Sequence, residues 1–482
     1  MTATFLVPPP LEGTRVPERV FGCNYGLYPI PNIFMLIAAA LLERNGYQVS
    51  VVDAAIARWT RERFARFLAS DSSSVYVIYS VELAKKTDRL AWNMIREARG
   101  SIPVIFAGPA PTYDPDGYLL DEETIIVRGE VEMTIDGIVG AIARGSSWGG
   151  IAGISYMHGS RAIHAPSRAL IEDLDSLPFP ARHLVDRTKY YNPKLGLTPN
   201  TAVLTSRGCG YSCIYCVPCS LSFARELEYK AAHGRKPPVR LRSVDNVLAE
   251  LSQLAQAGYR SVSFLDDQFV WGERRTVALC EGIAKLGLTW GCLARADVLT
   301  EPIVRAMAVS GCRYVDVGVE SFDQRVLDFV RKDMTVGEAE RGICLLTEHG
   351  IMAKLNILIG AAPFETKETF RNNFAAIDRL RPNAVMFSIC TPFPGTDLYE
   401  LAIENGWLAR DGYRAVDVQK EALLDLPFLS ASELERLAHR ANIRFYLNPA
   451  VVWRNIRSAQ SSESLVQMFS VLRGKLRHSG GT

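Results

Sequence analysis

The chain has 482 residues, of which 48% are hydrophobic and 22% charged, and a formal net charge of +2. That length holds two to three domains with apolar cores of their own, and the near-neutral balance excludes a dedicated nucleic-acid binder. Ten cysteines in so long a chain do not make a disulfide scaffold and suit a reducing, cytoplasmic setting. The N-terminus, M-T-A-T-F-L-V-P-P-P, lacks the basic head and long apolar core of a signal peptide, and the apolar run Ile33 to Leu42 is too short to span a bilayer.

Residues 1–145 predict an α/β domain. Short β-prone runs lie at Thr4–Val7, Gln48–Val52, Val75–Tyr79, Val104–Ala107 and Ile125–Val127. Helical patterns at Ile33–Asn45, Thr60–Ala69 and Lys86–Ala98 separate them. Strands alternating with helices imply a doubly wound parallel sheet, Rossmann-like in form, with ligands at the carboxyl ends of its strands. The loops there carry Pro8-Pro9-Pro10, Asp53-Ala54, Ser80, Gly108-Pro109 and Gly129-Glu130. None is a G-x-G-x-x-G, which leaves a nicotinamide site with little support. Residues 146–198 read as a linker with a hairpin turning near Gly159, followed by L-D-S-L-P-F-P-A-R and a turn-rich tail. His158, His164 and His183 in this stretch are expected at the surface.

The run R-G-C-G-Y-S-C-I-Y-C then places Cys209, Cys213 and Cys216 at C-x3-C-x2-C spacing, just after the apolar stretch Thr201 to Thr205. Three thiolates in one loop hold three irons of a [4Fe–4S] cube and leave the fourth open for a substrate or cofactor; closed electron-transfer cubes use four cysteines. A structural zinc site wants four ligands, usually in two knuckles. Cys219 extends the run, but no second knuckle follows, and Cys219 is read as a bystander thiol.

From 199 to about 410 strand and helix alternate again, giving a partial (β/α)6 barrel. The strands are Ala202–Thr205, Ser261–Leu265, Thr289–Leu293, Tyr314–Gly318, Lys354–Ile359 and Ala384–Ile389. Barrel sites form at the carboxyl ends of strands, and chemically suggestive residues fall there. Asp266 and Asp267 follow the second strand, as paired ligands or as a cap for the next helix. Arg295 follows the third, free to take a carboxylate bidentately or to pair with Asp297. Glu320 and Ser321 follow the fourth, behind Gly318, which permits close backbone approach. Ile359 and Gly360 follow the fifth, and Glu365 is expected to fix that loop or cap the next helix. Residues 411–482 read as a small helical region, with helical spacing at Ser430–Ala441 and Val451–Ser458 and a basic, frayed end.

The cysteine motif, with landmarks continuing in order for about two hundred residues, resembles the radical S-adenosylmethionine (SAM) superfamily. The resemblance implies that the open iron chelates SAM and that its reduction yields a 5′-deoxyadenosyl radical. It places Tyr215 and the stretch at Ile359 and Gly360 beside adenine, Glu320 and Ser321 at the ribose, and Asp266 and Asp267 in the amine region, although the superfamily's G-G-E is absent. The first 145 residues resemble the cobalamin-binding domain ahead of many such cores, through P-P-P, G-Y-Q-V-S-V-V-D-A, F-A-G-P-A-P and V-R-G-E-V-E. Ser80, Gly108, Pro109, Gly129 and Glu130 are thereby expected at the cofactor. The D-x-H-x-x-G motif of cobalamin mutases is absent and no histidine precedes His158, so this domain supplies no histidine to cobalt.

The implied enzyme methylates an unactivated carbon of a biosynthetic intermediate through methylcobalamin. It takes a small molecule such as a lipid, tetrapyrrole or natural-product precursor, and electrons from a flavodoxin or ferredoxin. The same layout serves radical cyclases, ring-contraction enzymes and dehydratases or oxidoreductases, with or without cobalamin. A methylthiotransferase needs a second cluster, and the N-terminal domain, residues 1–145, has only Cys23. A non-catalytic sensor is disfavoured by G-V-E-S and the fifth-strand stretch.

Overall fold

The computed structural model describes residues 1–11, 19–20, 29–409 and 416–458. Two compact units emerge. The first comprises Met1–Tyr191, Pro199–Gly208 and Pro218–Asn246; the second comprises Asn192–Thr198, Cys209–Val217 and Val247–Thr482. The chain thus crosses between units around the cysteine loop, which belongs to the second. Cys23 and the basic end lie outside the described residues.

The first unit is built on a seven-stranded sheet. Its strands are β1 (Thr2–Val7), β2 (Gln48–Asp53), β3 (Val75–Tyr79), β4 (Val104–Ala107), β5 (Thr124–Val127), β6 (Ile154–His158) and β7 (Arg161–His164), in the order β2-β1-β3-β4-β5-β6-β7. The first five run parallel. β3, β4 and β5 are buried along their whole length, as continuous apolar runs must be when helices cover both faces. The apolar run from Ile33 sits inside this core. Asn32 caps its helix, Ile33–Arg44, by accepting from Phe34 and Met35 backbone N–H groups, and every residue from Ile33 to Leu42 is buried. The hairpin assigned by sequence to the linker instead completes the sheet: β6 pairs antiparallel with β5, and Gly159 turns it at φ +60°. An uncovered β5 edge would leave backbone donors unpaired, and the hairpin satisfies them. Strand β8 (Asn200–Val203) and a two-stranded ribbon, β9 (Ser206–Arg207) with β10 (Arg240–Leu241), complete this unit's strands, with the helix Ser220–His233.

The second unit carries β11 (Ser261–Phe264), β12 (Thr289–Arg295), β13 (Cys312–Glu320), β14 (Met352–Ile359) and β15 (Ala384–Ile389). Each pairs parallel with the next, and the expected strand positions hold to within two residues. Alternate residues, Val315, Val317 and Val319 on β13, Leu355, Ile357 and Ile359 on β14, and Val385 and Phe387 on β15, are no more than 2% exposed. They face helices: Phe387 meets Phe374 of the helix Lys367–Leu380 and Phe445 of the helix Ala431–Tyr446. The opposite face is polar, with Asp316, Glu320, Lys354, Asn356 and Ser388 (β1–β15 and their helices thus give the α/β class expected from sequence). Among the described residues no helix is long and apolar enough to cross a membrane.

Candidate active site

Cys209, Cys213 and Cys216 are partly exposed and in no disulfide, whereas Cys219, Cys280, Cys292, Cys312 and Cys390 are buried. One side chain sorts them. Ile214, 2% exposed, packs into a cluster with Val326, Val330, Ala361, Ala362 and Leu398. Its backbone N–H donates to Val330 O at 3.1 Å, its carbonyl accepts from Leu398 N at 3.0 Å, and Cys216 N–H closes the turn onto Cys213 O at 3.3 Å. Pinning Ile214 inward leaves the cysteines on either side to point elsewhere. Among the described residues no three His, Cys, Asp or Glu side chains, these thiols included, stand together so as to hold a single metal ion. Cys219 precedes the helix Ser220–His233 in the first unit, buried, with its thiol 3.4 Å from Ser222 Oγ. Three thiolates in one eight-residue loop are the donor set of a cube held at three irons with one left open.

Around the loop stands a charged ring. Lys332 Nζ is 2.9 Å from Glu320 Oε1 and 3.4 Å from Tyr215 OH, with Lys332 and Glu320 buried and Tyr215 partly so. Burial opposes the Lys332 ammonium, but Glu320 and the Cys213 sulfur outweigh it and hold its pKa above the ordinary value. Burial, then Glu320 and the thiols of Cys213 and Cys216, push the Tyr215 phenol far up. Glu320 adopts φ +69° at a register shift between Gly318 and Glu320, a conformation that non-glycine residues hold only under local constraint. A Cβ at Gly318 would stand 2.9 Å from Glu320 Oε1 and 3.0 Å from Lys332 Nζ, so the glycine makes room for the pair.

Lys332 was not singled out by sequence. It enters through a turn in which Arg331 and Asp333 both have positive φ, 52° and 48°. No glycine marks that turn, so the sequence carries no signal for it. Asp333 O accepts from Arg295 Nη2 at 2.8 Å. Arg295 also pairs with Asp297 through Nε and Nη2, each at 2.9 Å, and its guanidinium lies 3.6 Å from the centre of the Tyr211 ring. The alternative salt bridge is thus formed, yet Nη1 is buried without a partner among the described residues. A buried guanidinium edge with an unused donor fits a carboxylate.

Asp266 is fully buried and Asp267 partly so, just beyond β11. Ser321 Oγ accepts from Asp323 N at 3.1 Å and donates to Asn373 Oδ1 at 3.3 Å, which also accepts from Phe322 N at 2.6 Å. Ser321 thus shapes the turn after Glu320. Ile359 is buried, and Gly360, φ +74°, lets the helix Ala431–Tyr446 approach; a Cβ there would lie 2.7 Å from Leu434. Glu365 fixes the next loop, accepting from Ala362 N at 2.9 Å, and its burial pushes the carboxyl up to about 7.

In the first unit, Ser80, Gly108, Pro109, Gly129 and Glu130 line the carboxyl edge of the sheet and are all buried. Ser80 Oγ bonds Tyr118 OH at 2.8 Å. Gly108, φ +103°, is required because a Cβ would stand 2.4 Å from Ser80 O. Glu130 accepts from Ile171 N at 2.7 Å and pairs with Arg207 at 3.2 Å and with Arg240. Glu132 holds the other side of Arg207 at 2.6 Å. Arg207 is two residues before Cys209, so the strand feeding the cysteine loop is moored by this buried knot. No histidine occurs along β1–β5 or their loops; that donor set suits a corrin held without a histidine on cobalt.

Residues 203–377 match the family model of the Radical SAM superfamily. The protein is a radical SAM enzyme. Its cofactors are a [4Fe–4S] cluster and SAM. The radical SAM enzyme is similar to an uncharacterized methyltransferase of Pyrococcus horikoshii, 28% identical over 456 residues that make up 94% of each chain. It also resembles the anaerobic magnesium-protoporphyrin IX monomethyl ester cyclase of Rubrivivax gelatinosus, 28% identical over 289 residues, 57% of this chain but only 48% of that one. Among solved structures, the radical SAM methyltransferase TsrM from Kitasatospora setae, with tryptophan and a SAM analogue bound, superposes with a TM-score of 0.66 at 20% identity, covering 90% of this chain and 82% of that one. The cobalamin-dependent radical SAM enzyme OxsB, with aqua-cobalamin and SAM bound, gives a TM-score of 0.72 at 15% identity, covering 98% and 70%. At these identities the likeness is one of fold.

Proposed function

We propose that this radical SAM enzyme is cobalamin-dependent and transfers a methyl group derived from SAM to an unactivated carbon of a small biosynthetic molecule. The observation that carries the reading is the near full-length similarity to a methyltransferase, which spans both the N-terminal sheet and the cysteine loop. The cobalamin-bound neighbours support the same two-part layout. When bound, the cluster supplies the electron that splits SAM and the corrin carries the methyl group, with an external one-electron donor of the flavodoxin or ferredoxin type keeping both reduced.

The chain's own residues do the rest. Cys209, Cys213 and Cys216 hold three irons. Arg295, through its unused Nη1, takes the SAM carboxylate, and Asp266 and Asp267 face the amine. Glu320, fixed by Lys332 and backed by Ser321, accepts the ribose hydroxyls, with Tyr215, Ile359 and Gly360 beside adenine. The edge formed by Ser80, Gly108, Pro109, Gly129 and Glu130 shapes the corrin side. A carbon without acidity or a lone pair cannot attack a sulfonium methyl directly, and this is why two cofactors are needed.

Anaerobic reconstitution with iron, sulfide and hydroxocobalamin, followed by desalting, tests the reading. It expects roughly four irons per chain and cobalt equimolar with protein. On reduction with titanium(III) citrate and SAM, both 5′-deoxyadenosine and S-adenosylhomocysteine should form. Iron with 5′-deoxyadenosine but no cobalt and no S-adenosylhomocysteine would overturn methyl transfer. That result would favour the cyclase-type chemistry suggested by the similarity over 57% of the chain.

A further inference from the structure

Arg295 offers one corner of its guanidinium and no more. Its Nε–H and one Nη2 N–H go to the two oxygens of Asp297, each at 2.9 Å, and Nη2 gives its other N–H to Asp333 O at 2.8 Å. Its backbone N–H goes to Gln268 Oε1 at 3.0 Å. The donors left over are those of Nη1, buried and without a partner among the described residues. Asp297 already balances the charge of the arginine. The corner therefore offers directed N–H groups rather than a spare positive charge, and its value to a ligand depends on the plane in which the guanidinium is held.

That plane is set from the cysteine loop. Tyr211 stands between Cys209 and Cys213, two residues from each. The guanidinium carbon of Arg295 lies 3.6 Å from the centre of its ring, over the face rather than at the edge. Arg295 is buried and Tyr211 partly so, which strengthens a cation–ring contact by keeping water from it. The contacts run in a circuit. Ile214, three residues beyond Tyr211, gives its N–H to Val330 O at 3.1 Å. From Val330 the chain passes through the positive-φ turn at Arg331 and Asp333 to the carbonyl that Arg295 holds. Lys332, in the same turn, holds Glu320 and meets Tyr215 OH at 3.4 Å, so the turn is fastened to the loop at a second aromatic. The stack of Tyr211 on Arg295 closes the circuit.

We propose that Tyr211 is a positioning residue for SAM: its ring fixes the direction from which Arg295 Nη1 meets the SAM carboxylate, and so ties that contact to the loop that carries the three cysteines. The proposal rests on the reading of Arg295 as the residue that takes the carboxylate. In this role Tyr211 acts only through Arg295. The flat ring is required and the hydroxyl is not, because the guanidinium lies against the ring face. An aliphatic side chain would fill the space without holding the plane.

The test uses the full-length enzyme reconstituted with iron and sulfide, with iron content measured for every variant. Two probes are titrated by calorimetry: S-adenosylhomocysteine, which carries the carboxylate, and 5′-methylthioadenosine, which lacks the amino acid. The readout is the ratio of their dissociation constants. Tyr211→Leu should lower the preference for S-adenosylhomocysteine about tenfold, the worth of a largely desolvated cation–ring contact, and leave 5′-methylthioadenosine unchanged. Tyr211→Phe should keep the wild-type ratio. Arg295→Met should lower the ratio at least as far, and Tyr211→Leu/Arg295→Met no further, because one residue acts through the other. Arg295→Lys keeps the charge but not the flat group that stacks; it should behave as Tyr211→Leu does, and it decides the matter if the leucine variant takes up no iron. A wild-type ratio in iron-loaded Tyr211→Leu or in Arg295→Lys, an equal weakening of both probes in Tyr211→Leu, or a loss in Tyr211→Phe as large as in Tyr211→Leu would overturn the positioning role. A wild-type ratio in Arg295→Met would instead overturn the reading of Arg295 itself, and the role of Tyr211 with it.

Discussion

Replacing Arg207 by methionine tests how the cysteine loop is moored. The guanidinium is 4% exposed, Glu130 4% and Glu132 0%, with contacts of 3.2 and 2.6 Å to the two carboxylates. Burial works against the Arg207 cation, yet Glu132 and then Glu130 more than offset it and raise its pKa. In Arg207→Met, Glu130 keeps Arg240 and the Ile171 N–H. Glu132 loses its only ion-pair partner among the described residues. Removing one side of a buried pair costs about 3–5 kcal/mol, most of it the charge left behind. For a unit of this size that corresponds to a fall in melting temperature on the order of 10 °C. Thermal unfolding of cluster-free protein in reducing buffer, followed by circular dichroism, measures it without interference from cofactor loading. The double variant Glu132→Leu/Arg207→Met removes the stranded carboxylate and should recover most of the loss, because apolar replacement of a buried pair is often neutral. If Arg207→Met melts with the wild type, or if the double variant is no better than the single, the mooring argument is wrong.

Three further outcomes are expected. Cys216→Ala should lose bound iron and all 5′-deoxyadenosine formation, while Cys219→Ala should keep both; intact SAM cleavage in Cys216→Ala would remove the cluster assignment. Gly208→Ala should destabilise the fold, because the backbone there holds φ +93° and a Cβ would fall 1.9 Å from Arg225 Nη2; the left-handed conformation alone costs roughly 1–2 kcal/mol, and a melt equal to wild type would contradict the geometry. Glu365→Gln should stabilise the protein at high pH. Burial, only partly countered by the N–H groups of Ala362, Ala361 and Gly360, lifts the Glu365 carboxyl to about 7. A carboxyl raised above its unfolded value leaves stability intact below about pH 4.3 and erodes it as pH rises to 7. The glutamine variant escapes that loss, by roughly 3–4 kcal/mol at pH 8 and by about 1 kcal/mol at pH 5; a pH-independent difference in melting temperature would refute it.

The cysteine spacing and the strand positions were readable because both are local: C-x3-C-x2-C needs only eight residues, and strands such as V-Y-V-I-Y are apolar throughout. The partners of charged groups were not. Glu130 looked like a loop residue beside a ligand, yet its carboxylate meets Arg207 and Arg240, 77 and 110 positions away in the chain. Lys332 follows no glycine and belongs to no motif; only the positive-φ turn at Arg331 and Asp333 aims it at Glu320. The hairpin at Gly159 was recognisable as a hairpin, but its membership of the first sheet depends on the open edge of β5, which no local pattern encodes.

One distant relationship did leave a trace. The strands Y-V-D-V-G-V-E and K-L-N-I-L alternate polar and apolar residues with period two, as half-solvated strands do, although they lie in the middle of a parallel sheet. Helices on both faces would remove any reason for that alternation. The apolar positions pack against helices, and the polar ones point to the other face, where desolvating Asp316, Lys354 and Asn356 without recompense would be unfavourable. The alternation therefore marks one face of the sheet as polar, and Asp316, Lys354 and Asn356 share that face with Glu320, the carboxylate that Lys332 holds beside the cysteine loop.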